Sequence, residues 1–166
     1  MFVCTGNIAR SASAQYLAAA MLEDGSTWTF NSAGTGAMVG AGVARHIDIE
    51  LAQRGAQYDQ HLAKQITERL VRESALVLVM EKEHLDWIVH EWPQYRSKVH
   101  LLCQMARVQK QAGKRVDPVA FMMQYDEEPL AQDEVADPYL RGPEAAKVAV
   151  QRIQEALDIV VPWLGN

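Results

Sequence analysis

Val3-Cys4-Thr5-Gly6-Asn7-Ile8-Ala9-Arg10-Ser11-Ala12 is the stretch whose reading decides the fold. An apolar lead-in, Met1-Phe2-Val3, runs straight into the thiol of Cys4, and an alanine-rich, helix-forming run follows Ser11. Strand, loop and helix therefore succeed one another, with a thiol opening the loop and a guanidinium closing it. The five residues between Cys4 and Arg10 suffice to curl the backbone around one small tetrahedral anion. The amides of residues 5–10 would then face inward at a helix N-terminus, where unpaired N–H groups and the helix dipole favour negative charge. Gly6 is expected to take a backbone conformation closed to other residues, and Asn7 is the next most tolerant of left-handed geometry. Arg10 offers a planar fork that matches two phosphate oxygens. The same field favours the thiolate of Cys4, its nucleophilic form, and Ser11 can donate a hydrogen bond to that sulfur.

The rest of the chain agrees with an α/β architecture. The run 75–79, Ala-Leu-Val-Leu-Val, is continuously apolar, as in a parallel strand buried on both faces. Strands are also expected at 28–32 and 99–102, and helices at 11–22, 43–53, 67–73 (with Thr67 as its cap), 83–91 and from 143 to about 161. The alternation implies a four-stranded parallel sheet flanked by helices on both faces. A length of 166 residues suits one domain, 1–166. Residues 104–136 are harder to read: 104–111 and 117–125 can be helical, an acidic run Asp126-Glu127-Glu128 follows, and the segment is expected to be a solvent-facing insertion.

Composition narrows the function. A net charge of −5, with no Lys/Arg cluster, offers nothing to nucleic acid. No apolar run approaches membrane-spanning length, and no signal-peptide pattern opens the chain. Cys4 and Cys103 are the only two cysteines; they make no disulfide framework, which points to the cytoplasm. No His/Asp cluster has convincing metal-ligand spacing, so neither metal nor other cofactor is expected. A thiolate displacing an aryl-oxide needs an acid to protonate the departing oxygen. Two Asp-Pro pairs could supply one, Asp117-Pro118 and Asp137-Pro138-Tyr139.

Cys4-Thr5-Gly6-Asn7-Ile8-Ala9-Arg10-Ser11 resembles the phosphate loop of the low-molecular-weight protein tyrosine phosphatases. The resemblance runs through Ser32-Ala33-Gly34, His61-Leu62-Ala63-Lys64, Met80-Glu81-Lys82-Glu83-His84-Leu85 and Asp137-Pro138-Tyr139, which stands just before the last helix. It implies metal-independent hydrolysis of protein phosphotyrosine through a phosphocysteine intermediate. Cys4 would be the nucleophile, Arg10 the phosphate-binding residue and Asp137 the general acid, then base. Thr5, Gly6, Asn7, Ile8, Ala9 and Ser11 would surround the phosphate, with Ser32 and His61 buttressing the loop. Met38, Tyr139 and Ile8 would sandwich the phenol. Met38 stands where many members carry an aromatic residue, which is similar to the bacterial branch that accompanies exopolysaccharide-regulating tyrosine kinases. The implied partners are tyrosine-phosphorylated proteins, a bacterial tyrosine autokinase first among them. Ala9 replaces a second cysteine that shields the nucleophile in many members, and the sequence leaves open whether Cys103 reaches Cys4. Two other enzymes share the loop: phosphoarginine phosphatases tend to carry Thr at the place of Ile8, and thioredoxin-coupled arsenate reductases need two further cysteines where this chain has one.

Overall fold

The computed structural model describes residues 1–113 and 116–165; Lys114 and Arg115, in the hard-to-read segment, lie outside them. Four parallel strands, β1 (Phe2–Cys4), β2 (Ser32–Gly34), β3 (Val77–Val79) and β4 (Val99–Leu101), form a sheet in the order β2-β1-β3-β4. Parallel neighbours need crossovers, and helices supply them: α1 (Arg10–Ala20), α2 (Ile47–Gln53), α3 (Glu68–Glu73) and α4 (Lys82–Glu91); α5 (Leu102–Val108), α6 (Pro118–Gln124) and α7 (Gly142–Leu164) follow the last strand.

The two-residue period of a strand distributes the core. Phe2, Cys4, Leu78 and Met80 face one layer, where α1, α2, α5 and α7 pack. Val3, Ala33, Val77, Val79, Val99 and Leu101 face the other, with Val71 of α3 and Leu85 and Ile88 of α4. Both faces are thus covered, and the apolar run around β3 has the double-sided burial its composition implies. The register Val3↔Ala33 and Val3↔Val79 places the C-terminal ends of β1, β2 and β3 side by side. Ligands of open parallel sheets bind at that edge. No helix among the described residues is long and apolar enough to cross a membrane.

Several boundaries differ from expectation. β2 begins only at Ser32, because Phe2 pairs with Ser32 and residues 28–31 lie beyond the start of β1. α2 starts at Ile47 rather than 43: the Ala44 N–H donates to the Ile8 carbonyl, and His46 sits at φ 72°, which no α-helix accommodates. Thr67 does cap α3, accepting from the Leu70 N–H at 3.3 Å.

The larger correction concerns residues 104–136, which are not a solvent-facing insertion. Leu102, Met105 and Val108 of α5 are fully buried, each such side chain contributing roughly 1.5–3 kcal/mol of transfer free energy. Met122 of α6 and Val135 join the same core. The chain beyond the acidic run folds back over α5: Asp133, 1% exposed, holds Arg107 through two bonds of 2.9 and 2.8 Å, and Gln104 donates to the Glu127 carbonyl. Asp126, Glu127 and Glu128 themselves stay exposed, as their charge implies.

Candidate active site

β1 ends at Cys4 and α1 begins at Arg10, and residues 5–9 arch between them. The carbonyls of this arch are all claimed from outside. Cys4 O accepts from the Thr35 N–H, Thr5 O from Gly36, Gly6 O from Met38, and Ile8 O from Ala44, at 2.8–3.0 Å. Asn7 O accepts from His61 Nε2 at 2.7 Å. In a trans peptide the carbonyl of one residue and the N–H of the next point in opposite directions, and there are no cis bonds among the described residues. Five consecutive outward carbonyls therefore turn the amides of Thr5, Gly6, Asn7, Ile8 and Ala9 toward the inside of the arch. α1 adds its own free N–H groups, having no side-chain cap and no acidic residue in its first turn.

Left-handed backbone is required at Asn7 (φ 54°) and not at Gly6, which corrects the expectation for that glycine. The glycine that the arch cannot do without is Gly34 in β2. A Cβ there would lie 2.3 Å from the Thr5 carbonyl oxygen and 3.0 Å from the Asn7 nitrogen. The loop rests directly on that strand.

Asn7 is fully buried, and its amide fixes the arch in place. Its Oδ1 accepts from the Lys64 N–H at 2.9 Å, which sets the orientation of the amide. Its Nδ2 donates to Ser11 Oγ at 3.0 Å and to Ser32 Oγ at 2.8 Å. Ser32 Oγ donates onward to Gln15 Oε1. Ser11 Oγ lies 3.0 Å from Cys4 Sγ and 3.3 Å from the Ala33 carbonyl. Because Ser11 receives from Asn7, its single proton goes either to the Ala33 carbonyl or to the sulfur, and a thiolate at Cys4 would draw it. His61 is neutral in character, since burial pushes its pKa below the usual value. Its Nε2 must carry the proton donated to the Asn7 carbonyl, so its Nδ1 accepts from the Tyr16 hydroxyl at 3.2 Å. Ser32 and His61 thus sit at the loop, and Gln15 and Tyr16 extend their bonds.

Arg10, 2% exposed, forms the opposite wall. Its Nη1 bonds Glu81 and donates to the Val135 carbonyl at 2.8 Å, and its Nη2 lies 3.3 Å from Asp137 Oδ1. Its Nε is the buried side-chain donor without a partner among the described residues. A buried N–H is rarely left unpaired, and a charged one next to converging amides fits an anionic oxygen. Asp137 therefore stands beside Arg10, whereas Asp117 caps α6 by accepting from the Ala120 N–H at 2.7 Å. Met38 and Ile8 flank Gly6, at 3.9 and 3.5 Å from where a Cβ would be. Met38 and Tyr139 are exposed at the rim, and Ile8 is buried.

Glu81 and His84 were not singled out by sequence as site residues. The Glu81 N–H can only donate, so His84 Nδ1 accepts it at 3.1 Å, and the neutral ring places its proton on Nε2, 3.0 Å from Thr5 Oγ1. Burial, and next the Arg10 guanidinium, pushes His84 down to about 4, which keeps that tautomer at neutral pH. Cys103 and Cys4 are both free thiols. Cys103 opens onto a different cavity, between α5 and α7, lined by Arg107, Arg152 and Ala156.

Comparison with known proteins agrees with this architecture. Residues 1–118 match the model of the low molecular weight phosphotyrosine protein phosphatases. Over 101 residues the chain is 37% identical to the probable low molecular weight protein-tyrosine-phosphatase AmsI of Erwinia amylovora, covering 61% of this chain and 68% of AmsI. The solved structure of the tyrosine phosphatase Wzb from Escherichia coli K30, in complex with sulphate, superposes with a TM-score of 0.78 at 27% identity, over 99% of this chain and 96% of Wzb. The YwlE arginine phosphatase of Geobacillus stearothermophilus superposes equally well, with a TM-score of 0.78 at 25% identity, over 99% and 90% of the two chains. The family match ends before Asp137, while the structural likeness runs past it. By its loop, its sheet and the match of residues 1–118, this chain belongs to the low molecular weight phosphotyrosine protein phosphatase family.

Proposed function

We propose that this protein hydrolyses protein phosphotyrosine by way of a phosphocysteine intermediate. The single observation that carries the reading is the arch itself. Five amides turned inward, with Cys4 Sγ at one foot and the unpaired Arg10 Nε at the other, match a phosphoryl group attacked by sulfur.

Cys4 attacks phosphorus while the amides and Arg10 take the equatorial oxygens. Two donors of the guanidinium, Nε and Nη2, hold two of them as a fork. Nη2 is the donor that Asp137 occupies at 3.3 Å, so phosphate binding releases that carboxyl. Freed from the guanidinium and beside the phosphoryl anion, Asp137, 43% exposed and next to Tyr139, takes up a proton from solvent, passes it to the leaving phenol, and as the resulting carboxylate activates water against the phosphocysteine. Glu81 and the Val135 carbonyl keep the third donor group, so Arg10 stays in place through the cycle. Similarity to the tyrosine phosphatases AmsI and Wzb supports tyrosine-phosphorylated proteins as substrates, and a bacterial tyrosine autokinase is the partner this reading puts first.

A second reading, phosphoarginine hydrolysis, is favoured by the likeness to YwlE. The buried Ile8 and the exposed Met38, both beside Gly6, suit an aromatic ring better than a guanidinium. Turnover of matched phosphotyrosine and phosphoarginine peptides, with chelator present, tests the choice. Preference for phosphotyrosine is expected; preference for phosphoarginine ends the tyrosine reading.

A further inference from the structure

Beside the arch, and sharing Ile8, Ala9 and Tyr139 with the site above, lies a groove of about 550 Å³ whose far side, Ala44, Arg45 and Leu140, takes no part in the chemistry so far described. Ile8 and Ala9 form its floor, Ala44 and Arg45 one wall, and Tyr139 and Leu140 the other. Its volume falls within the usual range for ligand pockets. Three of its features call for an occupant. Leu140 is 87% exposed while its backbone is held at φ 58°, and His46 across the groove sits at φ 72°. Left-handed residues other than glycine, Asn or Asp are costly and gather at functional sites. Arg45 is an exposed cation with no ion pair among the described residues, on a chain whose net charge is −5. Finally, Ile8 and Tyr139 belong both to this groove and to the rim of the phosphate arch, so whatever presents a phosphoryl group there lays its adjoining atoms here.

We propose that this groove is a second subsite of the enzyme, taking the protein-substrate segment next to phosphotyrosine. An apolar side chain of that segment would seat on Ile8, Tyr139 and Leu140, and a carboxylate beyond it would meet Arg45. The proposal rests on the phosphotyrosine reading above. Charge favours such a segment over a second copy of this acidic chain, and a lone cation calls for a lone carboxylate.

The test compares phosphotyrosine peptides flanked on both sides by leucine and glutamate with peptides flanked by serine and lysine, using p-nitrophenyl phosphate as the control substrate. The parent should favour the leucine–glutamate peptide about fivefold or more in kcat/KM. Arg45→Ala should remove a two- to fivefold share of that preference, as an exposed ion pair would. Gly42 lines the groove, is not left-handed, and a Cβ there meets nothing within 4 Å. Gly42→Trp can therefore fill the groove without backbone strain, and should raise the peptide KM about tenfold. Neither variant should change p-nitrophenyl phosphate turnover. Equal treatment of both peptides by the parent overturns the subsite and leaves the phosphatase reading intact, as does an equal loss on peptide and control in both variants. A parent that turns over no p-nitrophenyl phosphate overturns the phosphatase reading and the subsite with it.

Discussion

On one side of the arch, Asn7, Ser11, Ser32 and His61 are all buried and bonded to one another or to the backbone of the arch, of β2 and of Lys64. On the other side, Arg10 is buried too, but its charged partners Glu81 and Asp137 are 26% and 43% exposed and arrive from distant parts of the chain. The first side is neutral, dry and fully paired, a scaffold that sets where the amides point. The second is ionic and partly wet, with one donor unpaired and one carboxyl within reach of release. A buried neutral network resists rearrangement, because each broken bond strands a desolvated partner. A half-exposed ion pair can open cheaply. The arch is thus held from one side and worked from the other.

Oxidation probes the sulfur where the two sides meet. Cys103 lines a separate cavity, and burial pushes its thiol pKa up, so it is a poor trap for a sulfenic acid at Cys4. Mild peroxide should abolish activity, thiol reductant should restore little, and Cys103→Ser should behave as the parent does. Full recovery would show that oxidation of Cys4 stops at a thiol-reversible stage and does not run on to the sulfinic acid.

Asp137→Asn strikes the ionic side alone. It should slow hydrolysis of phosphotyrosine by roughly 10²–10⁴-fold, the usual worth of general acid–base catalysis, with little change in the urea midpoint. Asn7→Ala strikes the scaffold: it strands Ser32, Ser11 and the Lys64 amide and forces alanine to φ 54°. It should cost about 3 kcal/mol of stability as well as activity. If Asp137→Asn destabilises as much as Asn7→Ala, the division between scaffold and working side is wrong.

The smallest effect belongs to His84, which joins the two sides through Thr5 and Glu81. Its native pKa of about 4 lies below the ordinary 6.5, so the unfolded chain binds the extra proton first. The resulting stability is complete above pH 6.5 and is lost as pH falls toward 4, by up to about 3 kcal/mol. His84→Asn keeps an acceptor for the Glu81 amide and should flatten that part of the acid slope, measured by urea titration at pH 5 and pH 7. An unchanged slope would place the acid sensitivity in His61 and His100, whose pKa values are also lowered.

What the sequence made legible was the local part: a thiol, an arch and a helix in one short stretch, and the apolar run around β3. Ser32 and His61 were legible only through resemblance, since a strand-end serine and a loop histidine carry no chemistry of their own. Glu81 and His84 became site residues through register. Val3 pairs with Val79, which brings the chain just after β3 up beside Arg10, and no local pattern encodes that. The segment 104–136 misled for a related reason. Its acidic run 126–128 is exposed as its charge implies, but no local pattern shows that Asp133 folds onto Arg107 over a buried α5.

The claim on which the rest depends is that Cys4 and Arg10 hold the same phosphoryl group. Mass spectrometry of Asp137→Ala, quenched during turnover of p-nitrophenyl phosphate, tests it most directly. One phosphoryl group is expected on Cys4, absent when Cys4→Ser is added. Turnover without an adduct, or an adduct on any other residue, would contradict it.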